Sequence, residues 1–88
     1  MINENADASV GDDVNLVLTR LAPAGAGYAH EEGNSDAHAK AALVGSSVTV
    51  IVEGGEPVLG TWQGIFLCEF DGPRERNVLV KTIVEKDA

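Results

Sequence analysis

Ser46-Ser47-Val48-Thr49-Val50-Ile51-Val52-Glu53-Gly54-Gly55 is where the periodicity of the chain changes. Val48, Val50 and Val52 alternate with Thr49, Ile51 and Glu53, a period of two that marks a strand, apolar on both faces at its centre. Gly54-Gly55 then signals a hairpin turn. Pro57 to Leu59 reads as a short return strand, placed at an edge because proline has no N–H to give a neighbour. Gly60 to Gly64 reads as a turn carrying Trp62, the only tryptophan. Ile65 to Phe70 is a further strand, with Ile65, Leu67 and Glu69 on one face and Phe66, Cys68 and Phe70 on the other. Asp71-Gly72-Pro73 is a turn. Asn77 to Val84 is the last strand, setting Val78, Val80, Thr82 and Val84 against Leu79, Lys81 and Ile83. Glu85 to Ala88 reads as a frayed tail.

Upstream of Ser46 the period is helical. Val10, Val14, Val17, Leu18 and Leu21 share one face of a helix capped by Asp7 and ended by Pro23. Asp12 and Asp13 sit near its positive end and Arg20 near its negative end, both favourable. Met1 to Asp7 is a polar knot around Ile2. Pro23 to Ala29 is a small, flexible linker. Asn34, Ser35 or Asp36 can cap a second, short helix running through Leu43, with Gly45 as its stop. The pattern is therefore α+β: two helices followed by a four-stranded, mainly antiparallel sheet. Strands apolar on both faces want cover on both sides. One substantial helix cannot provide it, which points to further chain or to subunit packing.

Composition narrows the function. With 88 residues the chain is one domain at most. Its formal net charge of −8 repels nucleic acid and anionic membrane at long range. An anionic ligand would need a local basic patch, and among six Lys and Arg residues the best placed are Lys40 and Arg74. Cys68, the single cysteine, rules out an internal disulfide and fits a reducing cytoplasm. It has no basic neighbour to activate it and reads as packing. Met1 is followed by polar and acidic residues rather than a signal peptide, and no apolar run is long enough to span a bilayer.

The chemistry concentrates in His30-Glu31-Glu32-Gly33-Asn34-Ser35-Asp36-Ala37-His38-Ala39-Lys40, which holds both histidines. Spacing alone fits a polar loop running into a helix cap, or a site. As a site, two His and an acid can hold a metal, or grip and deprotonate a small polar ligand. His30 and His38 lack the i, i+4 spacing of a helical zinc pair, so they meet only if the loop folds back. Asp36, Glu31 or Glu32 would have to supply a third ligand. Glu69, if buried in its strand, would be a raised-pKa acid or base; facing water, it would be a plain edge glutamate. Arg74 and Arg76 can clamp a phosphate or simply face solvent, the latter being the favoured reading for Arg76. Gln63 is ambiguous beside Trp62, which reads as a core or subunit-interface anchor. Gly45-Ser46-Ser47 lacks the Lys and length of a P-loop and reads as a helix stop.

Several stretches taken in order carry a resemblance: Ile2-Asn3-Glu4-Asn5-Ala6-Asp7, His30 to His38, Gly45-Ser46-Ser47, Leu59-Gly60-Thr61-Trp62-Gln63 and Glu69-Phe70-Asp71-Gly72-Pro73-Arg74. Together they resemble the YjbQ-like family, also described as secondary thiamine-phosphate synthases. The resemblance implies a compact α+β subunit that assembles as a homotrimer. It also implies a weak thiamine-phosphate synthase activity, joining a pyrimidine diphosphate to a thiazole phosphate. Carried over residue by residue, the site is His30, Asn34, Asp36, His38, Gln63, Glu69 and Arg74. His30, His38 and Glu69 are the expected catalytic groups. Asn34, Lys40, Gln63 and Arg74 are expected to bind substrate. His30, Asp36 and His38 are expected to take a divalent metal, zinc or magnesium. A non-catalytic metal- or ligand-binding protein and an inactive truncated product are the competing expectations. The family pattern places a strand-rich segment with a His-Thr-Thr type motif ahead of Asn3-Glu4-Asn5. Met1 stands where that strand would end, so residues 1–88 read as one truncated, N-terminally incomplete YjbQ-like domain. Ala39 and Ile51 are smaller departures.

Overall fold

A computed structural model describes residues 1–85. Its elements run β1 (Ile2–Glu4), α1 (Ala8–Leu21), α2 (Ser35–Val44), β2 (Val52–Glu53), β3 (Glu56–Pro57) and β4 (Gln63–Ile65). The α+β class and the two helices read from the sequence are those of the structure. The paired strands form two antiparallel two-stranded sheets, β1 with β4 and β2 with β3, rather than a single sheet of four.

The helices follow local chemistry closely. Asp7 is the N-cap of α1, and its side chain accepts the Ser9 N–H at 2.9 Å. That bond holds the Asp7 carboxyl below its ordinary range. Because α1 starts at Ala8, Asp12 and Asp13 lie beyond its first turn, and Arg20 alone complements the dipole. Val10, Val14 and Leu18 are the half-buried stripe, whereas Val17 and Leu21 are exposed. α2 ends at Gly45, whose φ of 86° and ψ of 164° suit glycine almost exclusively.

Strand β1 lies in the stretch read as a polar knot. Ile2 pairs with Ile65, Asn3 with Gly64 and Glu4 with Gln63. The pairing extends through Asn5 N–H to Trp62 C=O and Phe66 N–H to Met1 C=O. Backbone pairing of this kind is indifferent to polar side chains at an edge, so one Ile left no alternation to read. The Gly54-Gly55 turn does close the β2–β3 hairpin, both glycines having positive φ, as the tight hairpin turns require.

Beyond Ile65 the chain departs from the expected sheet. Phe66, Cys68 and Phe70 are half-buried and Leu67 and Glu69 exposed, the two faces the alternation predicts. The buried face lies over α1, in a groove lined by Met1, Gly11, Val14, Leu18, Phe66 and Phe70. Residues 67–85 nevertheless join no ladder among the described residues. Leu79 is 94% and Ile83 90% exposed. The tail expected from Glu85 lies outside the described residues after Glu85 itself. Trp62 is 65% exposed and does not anchor a core. Among the described residues the buried apolar side chains are Ala22, the C-cap of α1, and Ala37, in the first turn of α2, and the two helices are in contact.

Candidate functional site

The first turn of α2 and the loop before it bring the two histidines together. His30 opens a turn in which the Gly33 N–H donates to the His30 carbonyl at 3.3 Å, with Gly33 at a φ of 75°. Asn34 is the N-cap, and its carbonyl accepts the Ala37 N–H at 3.1 Å and the His38 N–H at 3.3 Å. The chain thus doubles back, and the imidazoles of His30 and His38 meet edge to face, ring centres 5.3 Å apart and planes at 70°. Both residues are exposed. The Glu32 carboxylate lies 3.9 Å from His30 Nε2.

This spacing fits two kinds of chemistry. Edge-to-face aromatic packing spans centre distances of about 4.5–7 Å. Two imidazoles on one tetrahedral ion, with metal–nitrogen bonds of about 2.0–2.1 Å, have ring centres about 5 Å apart. Asp36, the expected third ligand, is turned to Lys40, whose Nζ lies 3.9 Å from its carboxylate one helical turn on. Among the described residues no three His, Cys, Asp or Glu side chains are grouped so as to hold a metal ion. The pair is half of a metal site by itself.

The other expected residues are spread over two further arrangements. Asn34 leaves the helix end uncapped by its side chain; its Nδ2 instead donates to Asp71 Oδ2 at 2.8 Å. Arg74 Nη2 reaches that same oxygen at 2.8 Å. Next to this lies Glu69, gripped by Arg76 through Nε and, at 2.9 Å, through Nη2. The Asp71 N–H adds a bond to Glu69 at 3.0 Å. Arg76 foremost, and that backbone N–H second, pull the Glu69 carboxyl down to about 2. The raised-pKa acid expected of a buried Glu69 is therefore absent: the residue is exposed and firmly ionised. Arg76, expected to face solvent, is its clasp. Gln63 lies on β4 with its Oε1 taken by the Gly60 N–H at 2.8 Å, so it braces its own turn.

The electrostatics follow. Lys40, Arg74 and Arg76 each face a carboxylate: Asp36, Asp71 and Glu69. Lys40 is 9% exposed, so its charge is spent inside the fold. Arg74 keeps most of a five-donor guanidinium free of Asp71. Sequence reasoning missed Asp71 and Arg76. Asp71 looked like an ordinary turn former before Gly72-Pro73, and nothing in the sequence ties it to Asn34, 37 residues away.

The sequence matches the family described as UPF0047 protein YjbQ-like over residues 1–85. It is 56% identical over 85 residues to the UPF0047 protein MJ1081 of Methanocaldococcus jannaschii, covering 97% of this chain and 62% of that protein. It is 48% identical to the UPF0047 protein YugU of Bacillus subtilis, covering 91% of this chain and 61% of the relative. The fold superposes with a TM-score of 0.81 on a crystal structure of a YjbQ/UPF0047 family protein from Clostridium acetobutylicum. That protein is 54% identical, with 84% of this chain and 57% of the other covered. The chain thus spans about six-tenths of the length of these relatives.

Proposed function

The chain belongs to the UPF0047 YjbQ-like family, and from that premise we propose that His30 and His38 are the reacting centre of a site for a phosphorylated small molecule. The observation that carries this reading is the edge-to-face meeting of two exposed imidazoles 5.3 Å apart. Imidazole is the side chain best matched to proton transfer near neutral pH. The reaction we assign is thiamine-phosphate synthase-like. A thiazole ring nitrogen attacks the methylene carbon of a pyrimidine diphosphate, the carbon–oxygen bond to diphosphate breaks, and diphosphate leaves, its departing oxygen taking a proton from an imidazole. No oxidant or reductant is needed. Catalysis of such a step is mostly positioning and charge neutralisation. In this proposal Arg74 binds a phosphate with its remaining donors, and Asn34 and Gln63 act from beside their present partners. Lys40 and Glu69 serve as fixed charges that hold Asp36 and Arg76. Asp36 would join the histidines around zinc or magnesium only by releasing Lys40.

The test is turnover of the two phosphorylated substrates, with magnesium, followed by the fluorescence of oxidised product. His30→Ala and His38→Ala should each reduce turnover by about 10²-fold or more, the usual scale of a lost proton-transfer group. Wild-type rates in both variants would refute the reading. The charge balance favours a second reading, a non-catalytic metal- or small-ligand-binding protein. Lys40, Arg74 and Arg76 each already face a carboxylate, which leaves the exposed imidazoles of His30 and His38 open to a ligand. Zinc uptake that requires both histidines, without turnover, would decide for it. We also propose that the chain acts as one domain, in a homotrimer and in the cytoplasm. Its single cysteine suits the last, and its net charge of −8 argues against nucleic acid and anionic membrane as partners. No helix among the described residues is long and apolar enough to cross a membrane.

A further inference from the structure

Asn34 has two kinds of attachment. Its backbone carbonyl holds the first turn of α2 through the N–H groups of Ala37 and His38. Its side chain reaches across 37 residues to the Asp71 carboxylate. The other end of that amide, Oδ1, is buried without a hydrogen-bond partner, so Asp71 is the sole side-chain anchorage of Asn34. Among the described residues, Asn34 to Asp71 is also the one hydrogen bond joining residues 23–45 to the rest of the chain. The segment also packs through α2, which is in contact with α1 and buries Ala37 and Lys40. Asp71 is in turn fixed from its own side, by Arg74 at its carboxylate and by Glu69 at its N–H.

From this juxtaposition the structure assigns Asp71 as the positioning residue of the His30–His38 pair. Its carboxylate holds the Asn34 side chain, and Asn34 holds the turn from which His38 projects and into which the His30 loop folds. The assignment rests on reading those histidines as the site. Asp71 itself touches neither ring; it acts through Asn34. A hydrogen bond to an ionised acceptor is roughly twice as strong as a neutral one. One such bond can therefore set the placement of a segment that has no other hydrogen bond to the rest of the chain among the described residues.

The experiment is nuclear magnetic resonance on the full chain, reading the cross-peak between the His30 and His38 ring protons. The wild type should show it. Asn34→Ala, which leaves Asp71 with Arg74, should lose it while the amide signals of α1 and of the β1–β4 pair stay in place. Asp71→Ala should lose it equally, and the double variant should add nothing further. Asp71→Asn keeps an oxygen that can accept from Asn34 and should restore part of the cross-peak. Arg74→Ala should retain it. The cross-peak persisting at full strength in Asn34→Ala overturns the assignment, whether or not Asp71→Ala folds, and leaves the histidine pair standing. Its absence from the wild type removes the pair itself and the assignment with it. A wild-type cross-peak lost in Asn34→Ala and recovered in Asp71→Asn supports the assignment whatever the turnover assay returns.

Discussion

Glu69 shows how far a neighbour can move a single side chain from its expected role. A carboxyl buried on the face of Ile65 and Leu67 would have been raised; instead that face is exposed and Arg76 lies across the carboxylate. Arg76→Ala should return Glu69 from about 2 toward its ordinary 4.5, read as the midpoint of its carboxyl carbon shift in a pH titration. The sign for stability follows from linkage. A carboxyl whose pKa is depressed in the fold stabilises it fully above the ordinary value, and that contribution disappears as pH falls from 4.5 toward 2. Arg76→Ala should therefore flatten the stability profile across that window and leave the shape above it unchanged. A midpoint still near 2 in the variant would mean that Asp71 N–H, not Arg76, holds the carboxylate. At this scale the sequence showed both histidines in one polar stretch, where spacing alone fitted a polar loop as well as a site, and the structure brings their rings 5.3 Å apart. The sequence did not announce Asp71, because a partner 37 residues away leaves no trace in local spacing.

Helices were legible because their signals are local. The Asp7 cap, the Arg20 charge and the Gly45 stop all act within a turn of the residues they serve. Gly45 carries the sharpest expectation. At φ 86° and ψ 164° a side chain meets backbone strain of about 1–3 kcal/mol, although space around it is open. Gly45→Ala should lower the urea midpoint by a corresponding amount, and Asp7→Ala should lower it too through the lost cap. Equal midpoints for Gly45→Ala and wild type would show that the turn relaxes to another conformation. Strands were legible as alternation but not as pairing. Leu79 and Ile83 fall on one face as written, yet alternation describes a surface, whereas a ladder requires a neighbour. β1 is the converse: its neighbour is present and its alternation is not.

The molecule as a whole is more open than its length requires. Its radius of gyration is 16.3 Å, against about 12 Å for a compact domain of this size. The most exposed apolar side chains, Leu79, Ile83, Val84 and Val80, lie in the segment from Val78 to Val84, whose backbone pairs with no strand among the described residues. An apolar strand with unpaired N–H and C=O groups is a template for another chain. The matched relatives are about half as long again as this chain. In solution the chain should therefore associate through this segment, and its weight-average sedimentation coefficient should rise with concentration. Leu79→Lys with Ile83→Lys places two charges on one face of the edge, which opposes strand addition. The same lysines reduce the magnitude of the net charge of −8 and so weaken the repulsion between copies. If charge governed association, the double variant would associate more strongly; if the strand edge governs it, the concentration dependence should vanish. A wild type that sediments as one monomeric species at every concentration would show that the Val78–Val84 segment finds its cover within a single copy.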